Sequence, residues 1–331
     1  MRAAIYDGTG GRDVIAMAHV PEPEAGPDDV LIEVAYAGLN RADVLERMGR
    51  YLAARGDRVI PGLEYSGIVC AAGARVEGLR PGMRVCGLVG GGAHAPFVAA
   101  NALTVSPLPD EIGLREAAAI PEAFLTAYDA LFAQGRFEFG DIVLIHAVGS
   151  SVGLAGIALV AAAGGTTIGT SRTPDKLERA KGHGLQHAVA LDEGWSERVR
   201  GASGGTGVNI VLDFLGASAL DGNLAALAIG GRIVQIGTLG GANAQLAMGS
   251  LMAKRASLVG TVLRSRPLDE KIALASALTT RILPSIARGA LRPEIDRVLP
   301  LEQLADAHEV MENNANFGKI LLAVNPSLEA A

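Results

Sequence analysis

The sequence predicts an α/β protein in which a small, partly open β-barrel precedes a doubly wound parallel sheet. Three observations indicate this fold. Short apolar runs punctuated by glycine and proline recur over residues 1–120. Strand-like runs alternate with helical patterns over residues 123–262. Residues 141–165 read as a buried strand, a turn of small residues and an apolar helix, which is typical of a dinucleotide-binding unit.

The first domain is expected over residues 1–122 together with 263–331. The strands predicted for its barrel are 3–6, 30–35, 66–71, 84–88 and 95–99. A mostly helical stretch, interrupted near Pro121, leads into the second domain. After residue 263 the pattern predicts a long helix, a final helix near 301–312 and a strand at 318–324 that returns to the first domain.

The second domain is expected over residues 123–262. Its predicted strands are 142–145, 166–171, 188–191, 210–214, 232–236 and 257–263. The glycine-rich segment 201–207 precedes a strand and does not open a helix, so it is interpreted as a connecting turn.

The turn at residues 148–153 is predicted to bind the pyrophosphate of a dinucleotide. Ser150, Ser151 and Val152 would present backbone N–H groups and the positive end of a helix to the anion. Only Gly153 matches the fingerprint G-x-G-x-x-G in register. The glycine pattern alone is therefore also compatible with a strand–turn–helix of another α/β protein.

The end of the next strand favours NADPH over NADH. NAD sites commonly place an acid there for the ribose 2′-hydroxyl, but this chain has no acid before Asp175. Arg172 and Lys176 instead put two cations where a 2′-phosphate would lie, and each charge-assisted contact is worth about 1.5–3 kcal/mol. The alternative interpretation is an ordinary solvated helix face.

Composition narrows the class of protein. The chain has 331 residues and a net charge of −6, which disfavours nucleic-acid binding. It has neither a signal-peptide apolar core nor a run of the ~18–20 apolar residues that spans a bilayer. We therefore expect a cytoplasmic enzyme that does not bind membranes. Cys70 and Cys86 belong to no CxxC pair and are predicted to be buried thiols.

Motifs spread over nearly the whole chain resemble those of one superfamily. They are GLNRAD at 38–43, GRY at 49–51, GLE at 62–64, GGG at 90–92, AIPEA at 119–123, LTA at 125–127, LIHA at 144–147, LRSR at 263–266 and NFGKI at 316–320. The chain resembles the medium-chain dehydrogenases/reductases, and within them the zinc-free NADPH:quinone oxidoreductases. The nearest branch includes the tumour-suppressor-induced quinone oxidoreductase, a relative of zeta-crystallin. The resemblance implies a GroES-like first domain and a Rossmann second domain.

The resemblance also implies a reaction without zinc. The zinc-dependent alcohol dehydrogenases bind their catalytic zinc with a cysteine where this chain has Asn40 and a histidine where it has Leu63. Glu64 remains, but catalytic zinc needs about three protein ligands. We therefore predict no metal and interpret Asp43 and Glu64 mainly as structural.

Residue roles follow from the resemblance. Tyr51 and Asn40 are the predicted catalytic residues, and Tyr51 either donates a proton or hydrogen bond to the acceptor or only packs over the coenzyme. The predicted coenzyme-binding residues are Asn40, Tyr51, Thr126, Ser150, Ser151, Val152, Arg172, Lys176, Gly237, Leu263, Arg264 and Asn316. Leu191 stands where relatives often have a tyrosine that helps to bind the 2′-phosphate, so additional use of NADH stays open.

The predicted function is metal-free hydride transfer from NADPH to quinones, which are electrophilic enough to accept hydride directly. One alternative is an α,β-unsaturated ketone or enoyl reductase. An alternative of another class is a non-catalytic NADPH-binding protein. The expected partners are a small quinone or enone and, by analogy with relatives, a second copy of the chain that pairs through the sheet edge at 257–263 to form a homodimer.

Overall fold

The computed structural model describes residues 1–51 and 58–330. The chain divides into two compact units, one formed by Met1–Glu122 with Leu263–Ala331 and the other by Ala123–Val262. Across the described ranges, no helix has both the length and the apolar character that crossing a membrane requires.

The N-terminal part of the first unit is mostly strand. Its strands are β1 (Arg2–Asp7), β2 (Ile15–His19), β3 (Asp29–Leu39), β4 (Arg58–Val59), β5 (Glu64–Ala72), β6 (Arg84–Leu88), β7 (Phe97–Asn101) and β8 (Val105–Pro107). Its helices are α1 (Arg41–Arg47) and α2 (Leu114–Ala117). All five predicted barrel strands are present. β2, β4 and β8 were not predicted, and the partly buried pattern of β2 shows why a periodicity of two is hard to detect there.

The second unit is a Rossmann domain. Its strands are β9 (Ile142–Ile145), β10 (Thr166–Ser171), β11 (His187–Ala190), β12 (Val208–Asp213), β13 (Leu227–Gln235) and β14 (Ser257–Gly260). The helices are α3 (Pro121–Tyr128), α4 (Ser151–Ala162), α5 (Pro174–Lys181), α6 (Trp195–Ala202), α7 (Leu220–Ala226) and α8 (Met248–Ala253). The strands are all parallel in the order β11-β10-β9-β12-β13-β14. The direction of strand succession reverses between β9 and β12, which is where such sheets bind ligands.

The C-terminal segment completes the first unit. It contains α9 (Leu268–Ala277), α10 (Leu283–Ala287), β15 (Ile295–Pro300), α11 (Leu304–Glu312) and β16 (Lys319–Ala323). The predicted long helix is thus α9 and α10 joined by a π-helical turn at Leu278–Ile282. β16 pairs antiparallel with β3 in the sheet β15-β16-β3-β5-β6-β8, which confirms that the last strand returns to the first domain.

A buried hydrogen-bond network ties α11 to the N-terminal strands. The Tyr6 hydroxyl donates to the backbone oxygen of Asp43 (3.1 Å) and accepts from His308 Nε2 (3.2 Å), while Arg47 Nη1 donates to His308 Nδ1 (3.2 Å). Burial, reinforced by the Arg47 charge, lowers the pKa of His308 to about 2. The imidazole is therefore neutral, and its two partners fix one tautomer.

One cysteine prediction is wrong. Cys86 is buried, but Cys70 is exposed, and both are free thiols. The reason lies in β5, whose residues are exposed from Cys70 onward, beyond the packed part of the strand that ends at Val69.

Candidate functional site

A buried polar cluster lies where the first unit brings the ends of β3, β5 and β16 together. Lys319 Nζ donates to Glu64 Oε1 (2.6 Å) and to Asn40 Oδ1 (2.7 Å), and Asn40 Nδ2 donates to the same Glu64 oxygen (2.9 Å). Glu64 and Lys319 are 0% and 1% exposed, and Asn40 is 7% exposed. Because an isolated buried charge is very costly, the carboxylate and the ammonium ion depend on each other.

The backbone leaves just enough room for this carboxylate. Glu64 Oε2 accepts a hydrogen bond from the backbone N–H of Glu122 (2.8 Å). A Cβ atom at Gly38 would lie 2.2 Å from Glu64 Oε1. Glycine at position 38 is therefore a packing requirement of the cluster.

Asp43 shapes the loop that carries Asn40. Its carboxylate accepts from the backbone N–H of Asn40 (2.7 Å), at the start of α1, and from that of Gly62 (3.3 Å). Complete burial raises its pKa to about 7 despite these donors. Gly62 has φ +100°, and a Cβ there would lie 2.6 Å from the backbone nitrogen of His94, so only glycine fits.

Tyr51 lies beside a guanidinium group. The Arg264 Cζ atom is 5.7 Å from the centroid of the Tyr51 ring, and Arg264 is held by Glu46 Oε1 (2.6 Å) and the Gly90 carbonyl (2.9 Å). Burial, and next the charge of Glu122, raise the pKa of Tyr51 to about 12, although Arg264 opposes the rise. The phenol is therefore protonated at neutral pH and suited to donate a hydrogen bond.

This cluster already contains a cation. A metal ion bound between Asn40 and Glu64 would have to displace the Lys319 ammonium from both oxygens. Leu63, at the position of a zinc-binding histidine in the zinc enzymes, is a buried hydrocarbon. Within residues 1–51 and 58–330, no three His, Cys, Asp or Glu side chains form a group that could hold a metal ion.

In the second unit, the turn after β9 has the geometry of an anion site. Ala147 adopts φ +49°, and the Ser150 hydroxyl oxygen caps α4 by accepting from the Gly153 N–H (3.0 Å). Ser151 and Val152 form the first turn of the helix, so their N–H groups precede its internal hydrogen bonds. The residues present therefore fit a pyrophosphate.

A lysine lies across this turn. A Cβ atom at Gly149 would lie 2.6 Å from Lys176 Cδ and 3.2 Å from its Cγ. The structure thus brings Lys176, on α5, to the predicted pyrophosphate turn. Arg172 is exposed just beyond the end of β10.

A buried chain of hydrogen bonds links the ends of β9, β10 and β12. His146 Nδ1 and Nε2 lie 2.6 Å from Thr170 Oγ1 and 2.7 Å from Asn223 Oδ1. Asn223 Nδ2 donates to Asp213 Oδ2 (3.0 Å), and Asp213 Oδ1 accepts from the backbone N–H of Gly216 (3.0 Å). Burial lowers the pKa of His146, so the ring is neutral and donates through Nε2. This chain of hydrogen bonds holds the loops that follow β9, β10 and β12 in place at the topological switch point.

The other predicted coenzyme residues occur in both units. Thr126, in the second unit, is buried on α3, and Gly237 follows β13. In the first unit, Leu263 is buried, and the Asn316 side chain donates to the backbone oxygen of Gly318 (2.8 Å) in the turn before β16. Their coenzyme contacts stay predictions.

Lys319 was given no role by the sequence analysis, although it lies within the motif at 316–320. One signal could have pointed to it. A lysine directly before the apolar residues 320–323 of a strand that returns to a domain core needs a buried partner.

Comparison with known proteins is consistent with both units. The sequence-family model of the alcohol dehydrogenase GroES-like domain matches residues 26–110, and the sequence-family model of the zinc-binding dehydrogenases matches residues 151–279. Quinone oxidoreductase-like protein 2 of Bos taurus is 30% identical over 315 residues, covering 95% of this chain and 90% of the relative.

Solved structures agree over almost the full length. The Escherichia coli quinone oxidoreductase complexed with NADPH has a TM-score of 0.87 and 26% identity, covering 98% of this chain and 100% of the other. A structure described as an NAD-dependent alcohol dehydrogenase has a TM-score of 0.88 and 31% identity, with the same coverage.

Proposed function

The chain belongs to the medium-chain dehydrogenase/reductase family, with quinone oxidoreductase-like relatives, and from this premise we propose that it is an NADPH-dependent quinone oxidoreductase that transfers hydride without a metal ion. The observation that carries the proposal is the Asn40–Glu64–Lys319 cluster. An ammonium ion, hydrogen-bonded to both oxygens, stands where a zinc enzyme of the family needs ligands. Such a site suits an acceptor that is already electrophilic.

The coenzyme is proposed to bind in the second unit. Ser150, Ser151 and Val152 would hold the pyrophosphate at the start of α4, and Lys176 would bind the 2′-phosphate. The position of Lys176 across Gly149 supports NADPH in preference to NADH. The complex of the E. coli quinone oxidoreductase with NADPH supports the same choice.

Quinone reduction needs hydrogen-bond donors to the acceptor oxygen more than it needs a strong acid catalyst. The reduced nicotinamide, when bound, supplies a hydride to the acceptor. A quinone takes up two electrons and two protons in all and leaves as the hydroquinone. Asn40 and Tyr51 would donate hydrogen bonds to the acceptor oxygen on which negative charge develops, and preorganised donors of this kind lower the barrier.

An acceptor panel tests this function. Protein dialysed against a chelator is mixed with NADPH and a series of ortho-quinones, para-quinones, enones and simple alcohols. We expect NADPH to be oxidised by quinones at a rate that does not rise when Zn²⁺ is added back. Turnover only with alcohols and NAD⁺, restored by Zn²⁺, would contradict the proposal.

Tyr51→Phe separates quinone reduction from the second candidate, enone reduction. The position of Arg264 beside the phenol favours a donor role in either reaction. Loss of one hydrogen bond should slow quinone reduction only about 2- to 10-fold. If Tyr51 supplies the proton that an enone needs at its α-carbon, enone reduction should fall by about 10²- to 10⁴-fold. The measurement is kcat/KM for one quinone and one enone.

The Tyr51→Phe comparison can also contradict the general-acid role of Tyr51. Small and equal losses with both acceptors would remove the general-acid role of Tyr51 while leaving hydride transfer intact. Binding of NADPH to the variant, measured by fluorescence, controls for loss of packing over the coenzyme.

We also propose a homodimer that pairs through the sheet edge at β14. Ile229, Met252 and Leu258 belong to β13, α8 and β14 and are 66%, 73% and 43% exposed. Exposed apolar side chains on the last two strands of a sheet and on the helix between them favour pairing. Leu258→Lys is expected to shift the dimer toward monomer in light scattering, whereas Leu103→Lys, on the first unit, should not. A monomeric parent protein would contradict the proposal.

A further inference from the structure

We propose that Lys319 is a positioning residue of the acceptor site: it holds the Asn40 side-chain amide in one orientation and polarises it, so that one amide N–H donates to the acceptor oxygen. The inference rests on the proposed reductase function, because it assigns a task in the same site. It concerns a residue to which the sequence analysis gave no role.

The first step of the argument is the orientation of the amide. Asn40 Oδ1 faces the Lys319 ammonium at 2.7 Å, and Asn40 Nδ2 faces Glu64 Oε1 at 2.9 Å. A flipped amide would put its NH₂ group against the ammonium and its oxygen against the carboxylate. Both contacts would be repulsive in a buried site, so one orientation is imposed.

The second step concerns the hydrogen of the Asn40 side-chain NH₂ group that is not bonded to Glu64. An amide NH₂ group has two donors, and one of them is used by Glu64. The other acceptor near Nδ2 is the Gly38 carbonyl at 3.5 Å, the outer limit of a hydrogen bond. Asn40 also keeps 7% of its surface exposed, whereas Lys319 and Glu64 are sealed. Asn40 is thus the member of the cluster that is not fully sealed, and we place its remaining amide hydrogen on that exposed side.

The third step is polarisation. A charged donor on the amide oxygen withdraws electron density from the nitrogen, so the N–H becomes a stronger donor. Burial strengthens the effect because the local dielectric constant is low. Glu64 compensates the ammonium charge, and the Asp43 carboxylate accepts from the backbone N–H of Asn40. Lys319 therefore acts on the acceptor through Asn40.

A purely structural ion pair is the competing explanation, and removing both charges together distinguishes the two. Lys319→Met alone leaves a buried, uncompensated carboxylate and is expected to lower stability. The pair Lys319→Met with Glu64→Gln removes both charges and should restore stability. If the ion pair is only structural, turnover recovers with stability. If Lys319 positions and polarises Asn40, turnover stays low.

The experiment measures thermal unfolding, NADPH binding, and kcat and KM for one para-quinone at saturating NADPH. For the double variant we expect unfolding and NADPH affinity near those of the parent protein and a kcat that is lower by about tenfold. In an Asn40→Ala background the same double change should lower kcat no further, since the effect passes through the amide. Parental kcat in the double variant, or an undiminished loss without Asn40, would overturn the inference.

Two controls keep the outcome interpretable. If the variant Lys319→Met with Glu64→Gln does not fold, Lys319→Gln with Glu64→Gln removes the same charges but keeps a neutral amide donor that can still orient Asn40. This second variant loses only the polarisation, and a kcat below that of the parent protein is again the expected result. Parent protein that reduces no quinone would refute the proposed function itself. Parent protein that turns over, with a fully active double variant, would refute only the role of Lys319.

Discussion

Replacing Lys176 by alanine is expected to weaken NADPH binding by about 10- to 100-fold, because one charge-assisted hydrogen bond is worth about 1.5–3 kcal/mol. NADH binding should change less than about twofold, since NADH has no 2′-phosphate and no such bond to lose. The structural reason is the course of the Lys176 side chain, which passes across Gly149 at the predicted pyrophosphate turn. Calorimetric titration with both coenzymes measures the two effects.

Lys181→Ala is the matched control. Lys181 is on the same helix, is 50% exposed and pairs with Glu178, so the same change in charge is made away from the turn. It should leave both affinities unchanged. Equal weakening of NADPH and NADH by Lys176→Ala would show that the lysine serves the turn itself and not the 2′-phosphate. Unchanged NADPH affinity would shift the phosphate contact to Arg172.

Gly38→Ala is expected to destabilise the protein and to abolish most of its turnover. The new methyl group would lie 2.2 Å from Glu64 Oε1 and 2.6 Å from its Cδ, so the carboxylate has to leave the cluster. Lys319 and Asn40 then lose their shared partner. Breaking a buried ion pair costs about 3–5 kcal/mol, a large part of a typical stability of about 5–15 kcal/mol. Urea unfolding and quinone turnover measure both consequences.

Gly201→Ala provides the matched glycine control. Gly201 lies in α6, and a Cβ atom there meets no other atom within 4 Å. Because alanine favours helix, this variant should be as stable as the parent or more stable by up to about 1 kcal/mol. If Gly38→Ala unfolds at the same urea concentration as the parent, the backbone can adapt and the packing requirement at position 38 is refuted.

The regular parts of the fold were predictable because their signals are local. Proline directly after Thr173, which occupies the N-cap position, marks the start of α5, and a short apolar run marks β9. The boundaries were less predictable. The predicted strand at 257–263 ends at Gly260, and the predicted long helix after residue 263 is divided by a π-helical turn. Such ends depend on tertiary contacts, which the local pattern does not contain.

The polar cluster of the first unit shows the limit of sequence reasoning more clearly. Glu64 and Lys319 are separated by 255 positions, so no motif or periodicity joins them. The pairing of β16 with β3 brings them together, and the antiparallel pairing was not specified by the sequence pattern. The resemblance identified Asn40 and Glu64 as remnants of a metal site. It did not identify the ammonium ion that lies against both side chains.

The Lys319 ammonium ion explains how the Glu64 carboxylate can stay buried at this site without a metal ion. A zinc ion polarises a substrate oxygen directly, and its removal from an active site would normally leave carboxylates without a countercharge. Here Lys319 supplies the countercharge from within the chain, and Asn40 keeps slightly more exposed surface than Lys319 or Glu64. A site of this kind would stabilise developing negative charge modestly, as the proposed reduction of a quinone requires.

A single-turnover measurement tests the central claim most directly. Chelator-dialysed protein is mixed with a para-quinone and either NADPH or NADPH that carries deuterium at the transferred position of C4, and loss of nicotinamide absorbance is followed by stopped flow. The proposed function predicts complete oxidation without added metal, slower with the deuterated coenzyme, and formation of one hydroquinone per NADPH. No oxidation until Zn²⁺ is supplied, or identical rates with one-electron products, would contradict metal-free hydride transfer.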